Sequence, residues 1–380
     1  MDKFNIIATT TFGLEACVKR ECIKLGFENI KTFDGRVEFT GSAEDIARAN
    51  IWLRCAGRVH IKMAEFKALS FEELFQGTKA VNWEDMIPVD GKFTVVGKSV
   101  KSKLFSVSDC QAIVKKAVVE RMKTKYHVDW FDETGAEYTI QVALLNDIAT
   151  LTIDSSGSGL HKRGYRANAM TAPLKESLAA AMVELSYWNK DRILLDPLCG
   201  SGTIPIEAAL IARNIAPGLN RSFASEGWTN IIDKSIWKKV RVDAYKAIDY
   251  DCMPVIYGSD IDADAIELAR DNAVKAGVDD CVHFSIKPCQ QAELKGDYGV
   301  MITNPPYGER LGELKEVEQL YKDMGRIFKS NPTWSAYVIT SMEYFEKLFG
   351  RKADAKRKLF NGRIKTDYYQ FYGPRPPKKQ

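Results

Sequence analysis

Two spacings of apolar positions alternate over residues 1–65. Short apolar runs predict strands, whereas apolar positions that recur every three or four residues predict helices, and glycines separate the segments. The predicted order is strand, helix, strand, helix, with bounds Phe4–Ile7, Leu14–Leu25, Val37–Phe39 and Ala43–Leu53. These elements predict a small α+β unit with too few elements for an enzyme core.

Residues 66–160 continue with a different pattern that ends in paired strands. A strand Val59–Ala64 leads into a helix that starts at Phe71, after the capping residue type Ser70. The elements that follow are a strand, a helix and two alternating segments, with bounds Phe93–Val96, Cys110–Lys125, Tyr138–Leu144 and Ala149–Asp154. Asn146-Asp147 joins the last two, so they predict a hairpin.

The second half of the chain alternates apolar strands with amphipathic helices. Predicted strands are Ile193–Leu195, Val255–Tyr257, Val282–Ile286, Val300–Ile302, Ala336–Thr340 and Tyr368–Tyr372. Predicted helices are Leu174–Tyr187 after a Thr171–Pro173 cap, Ile204–Asn214, Ala263–Ala276, Leu314–Phe328 and Glu343–Leu348. Such alternation predicts an α/β domain with one parallel-type sheet. The segment 216–251 is too long for an ordinary loop, which predicts an insertion beside the site with a helix over 234–248. Whether this insertion contacts the substrate is an open question.

Composition and charge exclude several classes of protein. The 380 residues include 54 basic and 50 acidic side chains, so the net charge of +4 permits an anionic partner without requiring one. The eight cysteines include no Cys-x-x-Cys pair, which predicts reduced, buried thiols. His60, His127 and His283 have no partner at metal spacing. We find no signal peptide and no apolar run of transmembrane length, which predicts a cytoplasmic protein without membrane or metal partners.

The sequence Asn304-Pro305-Pro306-Tyr307-Gly308 directly follows a predicted buried strand. Open α/β sheets bind ligands at the carboxyl ends of their strands. The two prolines stiffen the backbone, and the Asn304 amide beside a proline carbonyl can accept hydrogen bonds from an exocyclic amine on a flat ring. Tyr307 is placed to stack on that ring. The alternative is a proline-rich turn with a core tyrosine.

A glycine-containing loop after another predicted strand indicates the cofactor. The loop runs from Asp196 to Thr203, and a second acid, Asp260, ends the next strand. Pro205 replaces the third glycine of the dinucleotide fingerprint, and no Gly-Lys-Ser/Thr sequence follows, so neither NAD nor a P-loop nucleotide is expected. A positively charged ligand with a ribose fits better: Asp196 and the loop amides would face the methionyl end of S-adenosylmethionine, and Asp260 its ribose.

Two cationic stretches are candidate RNA contacts. Lys98, Lys101 and Lys103 lie between a predicted strand and a helix N-terminus, which favours phosphate; a solvated loop is the alternative. In the second stretch Lys162, Arg163 and Arg166 surround Gly164 and Tyr165 after a Gly/Ser segment. This composition is typical of a linker that faces a polyanion or of a plain interdomain connector.

These motifs together resemble the class I S-adenosylmethionine-dependent methyltransferases, and more narrowly the THUMP-containing RNA methyltransferases similar to the N-terminal half of the bacterial 23S rRNA guanine-N2 methyltransferase. The matching stretches are Asp196–Thr203, Gly258–Asp262, Asn304–Arg310, His161–Arg166, Thr9–Glu15 and the region 66–154. The resemblance implies a ferredoxin-like domain over 1–65, a THUMP domain over 66–160 and a Rossmann-like class I methyltransferase domain over 161–380.

The resemblance also implies site residues and a substrate. Catalysis is expected from Asn304, Pro305, Pro306 and Tyr307, and cofactor binding from Asp196, Pro197, Cys199, Gly200, Ser201, Gly202, Thr203, Asp260, Ile261, Glu293 and Asn304. Glu293 is the expected contact of the cofactor adenine, in place of an Asp that the family usually has; Gln290 and Gln291 are alternatives. The expected substrate is guanine-N2 of 23S rRNA. Alternatives are guanine-N2 of tRNA, adenine-N6 of DNA, or a non-catalytic RNA-binding assembly factor.

Overall fold

The computed structural model describes residues 3–166, 174–308 and 314–377. Elements of the first half are β1 Phe4–Thr9, α1 Glu15–Lys24, β2 Glu28–Phe33, β3 Arg36–Gly41, α2 Ala43–Trp52, β4 Arg58–Lys67, α3 Phe71–Lys79, β5 Lys92–Val100, α4 Val107–Tyr126, β6 Glu137–Leu145 and β7 Ile148–Asp154. Those of the second half are α5 Glu176–Glu184, β8 Leu194–Asp196, α6 Thr203–Ala212, α7 Lys234–Lys246, β9 Ile256–Asp260, α8 Ala263–Ala276, β10 Val282–Ile286, β11 Val300–Thr303, α9 Leu314–Lys329, β12 Ser335–Thr340, α10 Phe345–Phe349, β13 Ala355–Asn361 and β14 Ile364–Phe371.

Contacts divide the chain into two compact units. Unit 1 comprises Met1–Thr10, Val18–Leu160 and Ser222–Asp243, and unit 2 comprises Thr11–Cys17, His161–Arg221 and Ala244–Gln380. Among the described residues, no helix is long and apolar enough to cross a membrane.

Unit 1 is built on one seven-stranded sheet with the order β2-β3-β1-β4-β7-β6-β5. The first four strands, with α1 and α2 between them, have the βαββαβ order of a ferredoxin-like fold. A reciprocal capping box between Ser42 and Asp45 starts α2, and Asn146 and Asp147 make the β6–β7 turn with φ values of 50° and 65°. Strand β2 was not predicted, because it is almost wholly exposed and lacks an apolar run.

Unit 2 is built on a second seven-stranded sheet with the order β10-β9-β8-β11-β12-β14-β13. The first five strands are parallel, as predicted, and β14 pairs antiparallel with both β12 and β13. The fold class is thus confirmed as Rossmann-like, but the sheet ends in an antiparallel hairpin that was not predicted. The reason is that β13 is rich in cations and has few apolar residues, so it lacks the apolar run that predicts a strand.

The main core of unit 2 lies between the sheet and helices α9 and α10. Tyr321, Phe345, Phe349 and Phe371 are almost fully buried there. A side chain at Gly325 of α9 would approach the Phe349 carbonyl to 2.0 Å, so glycine lets the chain pass close to α10. This core fixes the position of the loop that follows β11.

The insertion 216–251 differs from its predicted place. Its helix forms over Lys234–Lys246, but Ser222–Asp243 packs within unit 1. There the Trp228 ring stacks on Tyr138 with centroids 4.9 Å apart, and its indole N–H donates to the Glu137 carbonyl at 2.9 Å. Burial of two large aromatic rings therefore anchors this segment in the unit formed by the first half of the chain.

Candidate active site

Three parallel strands of unit 2 bring their final residues to one edge of the sheet. β9, β8 and β11 are neighbours, and Asp260, Asp196 and the residue after Thr303 stand at their carboxyl ends. A crevice of about 630 Å³ opens at this edge, lined in part by Gly200, Asp260 and Asn304. The structure therefore brings the cofactor-loop and Asn-Pro-Pro-Tyr motifs to one place, at the position where open α/β sheets bind ligands.

The loop after β8 has a conformation that depends on glycine. Gly200 and Gly202 have φ values of 50° and 80°, which are costly for other residues. A side chain at Gly202 would meet the Phe284 ring at 2.8 Å, whereas no atom of the described residues lies within 4 Å of one built at Gly200. Gly202 is therefore needed for packing beneath the loop, and Gly200 leaves open space where a ligand can approach the backbone.

Neighbouring βα units hold this loop in place. The Gly200 amide donates to Asp260 Oδ2 at 2.9 Å, and Asn272 of α8 donates to the Ser201 carbonyl at 3.1 Å. Asp260 is half-buried and Ile261 is 71% exposed, and both line the crevice. The remaining predicted cofactor residues of the loop are buried: Pro197, Cys199, Ser201, Gly202 and Thr203.

Asp196 lies beneath the loop instead of facing an open crevice. Its carboxylate is 1% exposed and accepts hydrogen bonds from the Thr303 hydroxyl at 2.6 Å and the Leu198 amide at 3.2 Å. Burial raises its pKa to about 7, because a charged carboxylate is poorly solvated there. The predicted direct role at the methionyl end is replaced by a structural one, in which Asp196 joins the cofactor loop to the strand that carries Asn304.

Glu293 is not among the residues that line the crevice, so the geometry gives its predicted contact with adenine no support. Its side chain is 63% exposed and pairs with Lys287 at 3.9 Å and Lys295 at 3.5 Å, beside a different cavity. Gln290, one of the alternatives, lines the crevice with Cys289. Both belong to the segment that follows β10, and closeness to the end of that strand was the signal that made Gln290 a candidate; Cys289 was not predicted.

The loop after β11 holds Asn304 in a defined orientation. The Tyr307 hydroxyl donates to Asn304 Oδ1 at 2.7 Å, and Asn361 Nδ2 donates to the Tyr307 hydroxyl at 3.3 Å. The Tyr321 hydroxyl donates to the Pro306 carbonyl at 2.8 Å. Tyr307 was expected to stack on the substrate, but in this conformation its hydroxyl orients Asn304. Glu309 and Arg310 lie outside the described residues.

Two positioning residues of this loop were missed from the sequence. Tyr321 belongs to α9, and Asn361 ends β13, a strand that was not predicted. Neither residue stands near Asn304 in the chain, so only the folded structure reveals the contacts. The side chains of Asn304 and Tyr307 are half-buried, Pro305 is buried and Pro306 is exposed.

The cationic linker is mostly internal to unit 2. Arg163 is 3% exposed and its Nε lies 3.4 Å from Glu207 Oε1, to which the Tyr165 hydroxyl donates at 3.1 Å. Arg166 donates to the Thr203 hydroxyl and pairs with Glu176 at 3.4 Å. The prediction that Arg163 contacts RNA is wrong, because its guanidinium is enclosed by protein, and Arg166 is engaged by internal partners.

The other predicted RNA contacts keep exposed side chains. Lys162 is exposed in unit 2, and Lys98, Lys101 and Lys103 are exposed in unit 1. Lys98 lies on β5 instead of in the loop after it. The predicted cap Thr171–Pro173 lies outside the described residues. The exposed lysines therefore stay candidates for a phosphate-binding role.

Comparison with known proteins places this site in a family. The methyltransferase-domain family described as RMKL-like matches residues 163–370. The chain belongs to this family. The RlmL ferredoxin-like domain matches residues 5–60 and the THUMP domain matches residues 68–154. The resemblance to THUMP-containing methyltransferases is thereby confirmed.

Individual relatives are similar in sequence to this chain over most of its length. YpsC of Bacillus subtilis (strain 168), provisionally named an RNA methyltransferase, is 52% identical over 100% of this chain and 99% of its own length. Ribosomal RNA large subunit methyltransferase K/L of Psychromonas ingrahamii is 36% identical over 93% of this chain, which spans 48% of that protein.

Solved structures of relatives have the same fold. A Listeria monocytogenes protein, provisionally described as an N6-adenine-specific DNA methylase, is 51% identical with a TM-score of 0.94, covering 98% of this chain and 97% of its own. SMU.472, solved in complex with S-adenosylhomocysteine, is 45% identical with a TM-score of 0.93, covering 99% of this chain and 100% of its own. S-adenosylhomocysteine is what S-adenosylmethionine becomes on methyl transfer, so the cofactor is S-adenosylmethionine. The chain is thus an S-adenosylmethionine-dependent RNA methyltransferase of the family named above.

Proposed function

We propose that this protein transfers a methyl group to guanine-N2 of large-subunit (23S) rRNA. The observation that carries the proposal is the position of Asn304, whose amide oxygen is oriented by Tyr307 at the crevice that Gly200 and Asp260 also line. An oriented acceptor beside a cofactor site suits an exocyclic amine, which must present its lone pair to the methyl group.

The residues at the crevice fit the cofactor. Open space beside Gly200 admits a ligand to the loop backbone, and the half-buried Asp260 carboxylate can accept from ribose hydroxyls. Ile261 and Gln290 line the same crevice and are the proposed contacts of the adenine. When bound, S-adenosylmethionine supplies an electrophilic methyl group on a sulfonium, a leaving group good enough that no strong base is needed.

The Asn-Pro-Pro-Tyr loop orients the target amine. An amide oxygen has two lone pairs, so Asn304 Oδ1 can accept from the Tyr307 hydroxyl and from the amine together. The Pro305 carbonyl is the second proposed acceptor. These acceptors stabilise the positive charge that develops on the nitrogen as the methyl bond forms, and they fix its direction of attack. A base held in this way must leave its helix, which costs less in RNA loops and bulges.

The domain assignment favours structured RNA. We assign residues 1–65 to the ferredoxin-like domain, 66–160 to THUMP and 161–380 to the methyltransferase domain, with action in the cytoplasm. The THUMP match and the rRNA methyltransferase relative support rRNA. Guanine-N2 of tRNA is the alternative within the same chemistry, and the name of the Listeria monocytogenes relative keeps adenine-N6 of DNA as a second candidate.

One experiment separates these substrates. Purified protein is incubated with S-adenosylmethionine labelled at the methyl group and with unmodified 23S rRNA, tRNA or duplex DNA, and the labelled nucleosides are identified by mass spectrometry. We expect N2-methylguanosine from 23S rRNA. Label in tRNA or in N6-methyladenine of DNA would replace the substrate assignment, and cofactor binding without transfer would favour the non-catalytic assembly factor.

A further inference from the structure

The β13–β14 hairpin stands at the active-site edge of unit 2. Asp367 of β14 pairs with Thr340, the last residue of β12, so the hairpin continues three residues further to Ile364. At about 3.3 Å per residue, its tip reaches about 10 Å past the carboxyl end of β12. The tip thus extends beyond the edge where the crevice opens.

The hairpin carries a concentration of positive charge. Between Asp354 and Asp367 the sequence has five cations and no acid: Lys356, Arg357, Lys358, Arg363 and Lys365. Lys356 pairs with Glu346 at 3.1 Å and Arg357 donates to the Gly13 carbonyl at 3.2 Å, so these two have internal roles. The side chains of Lys358, Arg363 and Lys365 are exposed. These three can therefore reach an anionic partner.

Aromatic rings accompany the cations. Phe360 lies beside Lys365 in the register of the hairpin, and the Phe12 ring contacts it edge to face with centroids 6.3 Å apart. Phe12 is 49% exposed. Phe360 is half-buried. Aromatic rings among cations, one of them exposed, match unpaired nucleotides, whose bases stack while their phosphates bind positive charge.

One residue joins this hairpin to the catalytic loop. Asn361, at the end of β13, donates to the Tyr307 hydroxyl, and that hydroxyl donates to Asn304 Oδ1. Because the donor from Asn361 occupies an acceptor position of the hydroxyl, the hydroxyl proton is left to point at Asn304. The orientation of Asn304 therefore depends on where the hairpin tip lies.

We propose that the tip of the β13–β14 hairpin binds the RNA phosphates next to the target nucleotide, and that Asn361 is a positioning residue that links this surface to Tyr307 and Asn304. The proposal rests on the function proposed above and names the part of unit 2 that holds the substrate. Extrusion of a base bends the backbone around it, and cations fixed beside the crevice stabilise the phosphates in that geometry.

The first test removes the three exposed cations. The variant Lys358→Ala/Arg363→Ala/Lys365→Ala is compared with wild type for equilibrium binding of an unmodified 23S rRNA transcript over a range of salt concentrations. Each lost phosphate contact lowers the slope of log K against log [salt] by about 0.7, so we expect a decrease of about 2 and at least a tenfold loss of affinity. Affinity for S-adenosylmethionine should not change.

A matched control uses exposed lysines of unit 2 at the other edge of the sheet. Lys246 and Lys275 lie near the ends of α7 and α8, before the amino ends of β9 and β10. The variant Lys246→Ala/Lys275→Ala should bind the transcript with the wild-type slope. An unchanged slope in the hairpin variant, with wild-type methylation intact, would overturn this inference alone. Wild-type protein that methylates no RNA would overturn the proposed function and this inference with it.

The second test measures the link through Asn361. In Asn361→Asp the carboxylate cannot donate and competes with Asn304 for the Tyr307 proton, so we expect kcat to fall at least tenfold with the KM for RNA within twofold of wild type. In a Tyr307→Phe background the same change should cause no further loss, since its effect passes through that hydroxyl. Additive losses, or a loss confined to KM, would contradict the positioning role.

Discussion

The two ends of the crevice are held together in different ways. At the cofactor end, the loop after β8 is bonded to the neighbouring βα unit through Asp260 and Asn272. At the end that receives the base, the loop after β11 is bonded to Tyr321 of α9 and Asn361 of the terminal hairpin. Both ends join segments that are distant in the chain. The first end uses the glycine loop and Asp260, which are recognisable as motifs in the sequence, whereas Tyr321 and Asn361 at the second end belong to no such motif. Cofactor binding and methyl transfer should therefore fail separately when each end is altered.

The largest difference between the effect on kcat and the effect on cofactor affinity is expected from Asn304→Ala. Loss of the oriented amide oxygen removes an acceptor that acts as charge develops on the target nitrogen, so kcat should fall about a thousandfold. The cofactor affinity, measured by isothermal titration calorimetry, should fall far less than kcat, because the bonds of the Gly200 loop do not involve Asn304. Equal loss of turnover and cofactor affinity would show that the two ends are not independent.

Substitutions in the cationic linker test whether the buried ion pair between Arg163 and Glu207 stabilises the cofactor end. Replacing Arg163 by Met leaves Glu207 buried without its cation, and breaking such a pair costs about 3 kcal/mol of unfolding free energy. The matched change Lys162→Met alters an exposed neighbour and should cost less than about 0.5 kcal/mol. Urea denaturation measures both. If both variants had the stability of wild type and only Arg163→Met bound RNA more weakly, the original prediction that Arg163 contacts RNA would be correct.

A smaller effect is expected from Gly202→Ala. The left-handed φ of 80° and the Phe284 ring at 2.8 Å should together cost about 1–3 kcal/mol of stability and displace the cofactor loop. Gly277→Ala is the matched control, because its φ is 70° but, within the part of the chain that the structure describes, no atom lies within 4 Å of the added carbon. We expect Gly202→Ala alone to weaken cofactor binding, by about tenfold. Equal cofactor affinity in the two variants would contradict the packing role of Gly202.

The same contrast explains how far the sequence predicts this protein. Helix α8 and strand β10 form with the predicted bounds, since apolar periodicity and the Asp262 cap are local signals. The exposed β2 and the cationic β13 carry no apolar run, so they were missed, and with β13 the positioning residue Asn361. Burial of Arg163 depends on Glu207, forty-four positions later in the chain. Composition alone cannot reveal such a pair, and it favoured a surface role instead.

Asp196 allows the cofactor end to be probed by pH. Burial raises its pKa to about 7 in the folded protein, whereas in the unfolded chain the carboxyl ionises near its ordinary value of about 4. Between these values the folded state retains a proton that the unfolded state has released. The contribution of this group to stability is therefore fully present below about pH 4 and is lost as the pH rises through about 7.

Asp196→Asn should remove this dependence, because the amide does not titrate. Relative to the variant, wild type should lose at most about 1.4 kcal/mol of unfolding free energy per pH unit between about pH 4 and pH 7, measured by urea denaturation. The Thr303 hydroxyl donates to Asp196 and so lowers the pKa of that carboxyl. Thr303→Val removes this hydrogen bond and should raise the pKa further. In this variant the decrease in stability should therefore continue to higher pH. Equal pH slopes in wild type and Asp196→Asn would mean that Asp196 is charged in the folded protein. The Thr303 hydroxyl would then donate to a carboxylate anion.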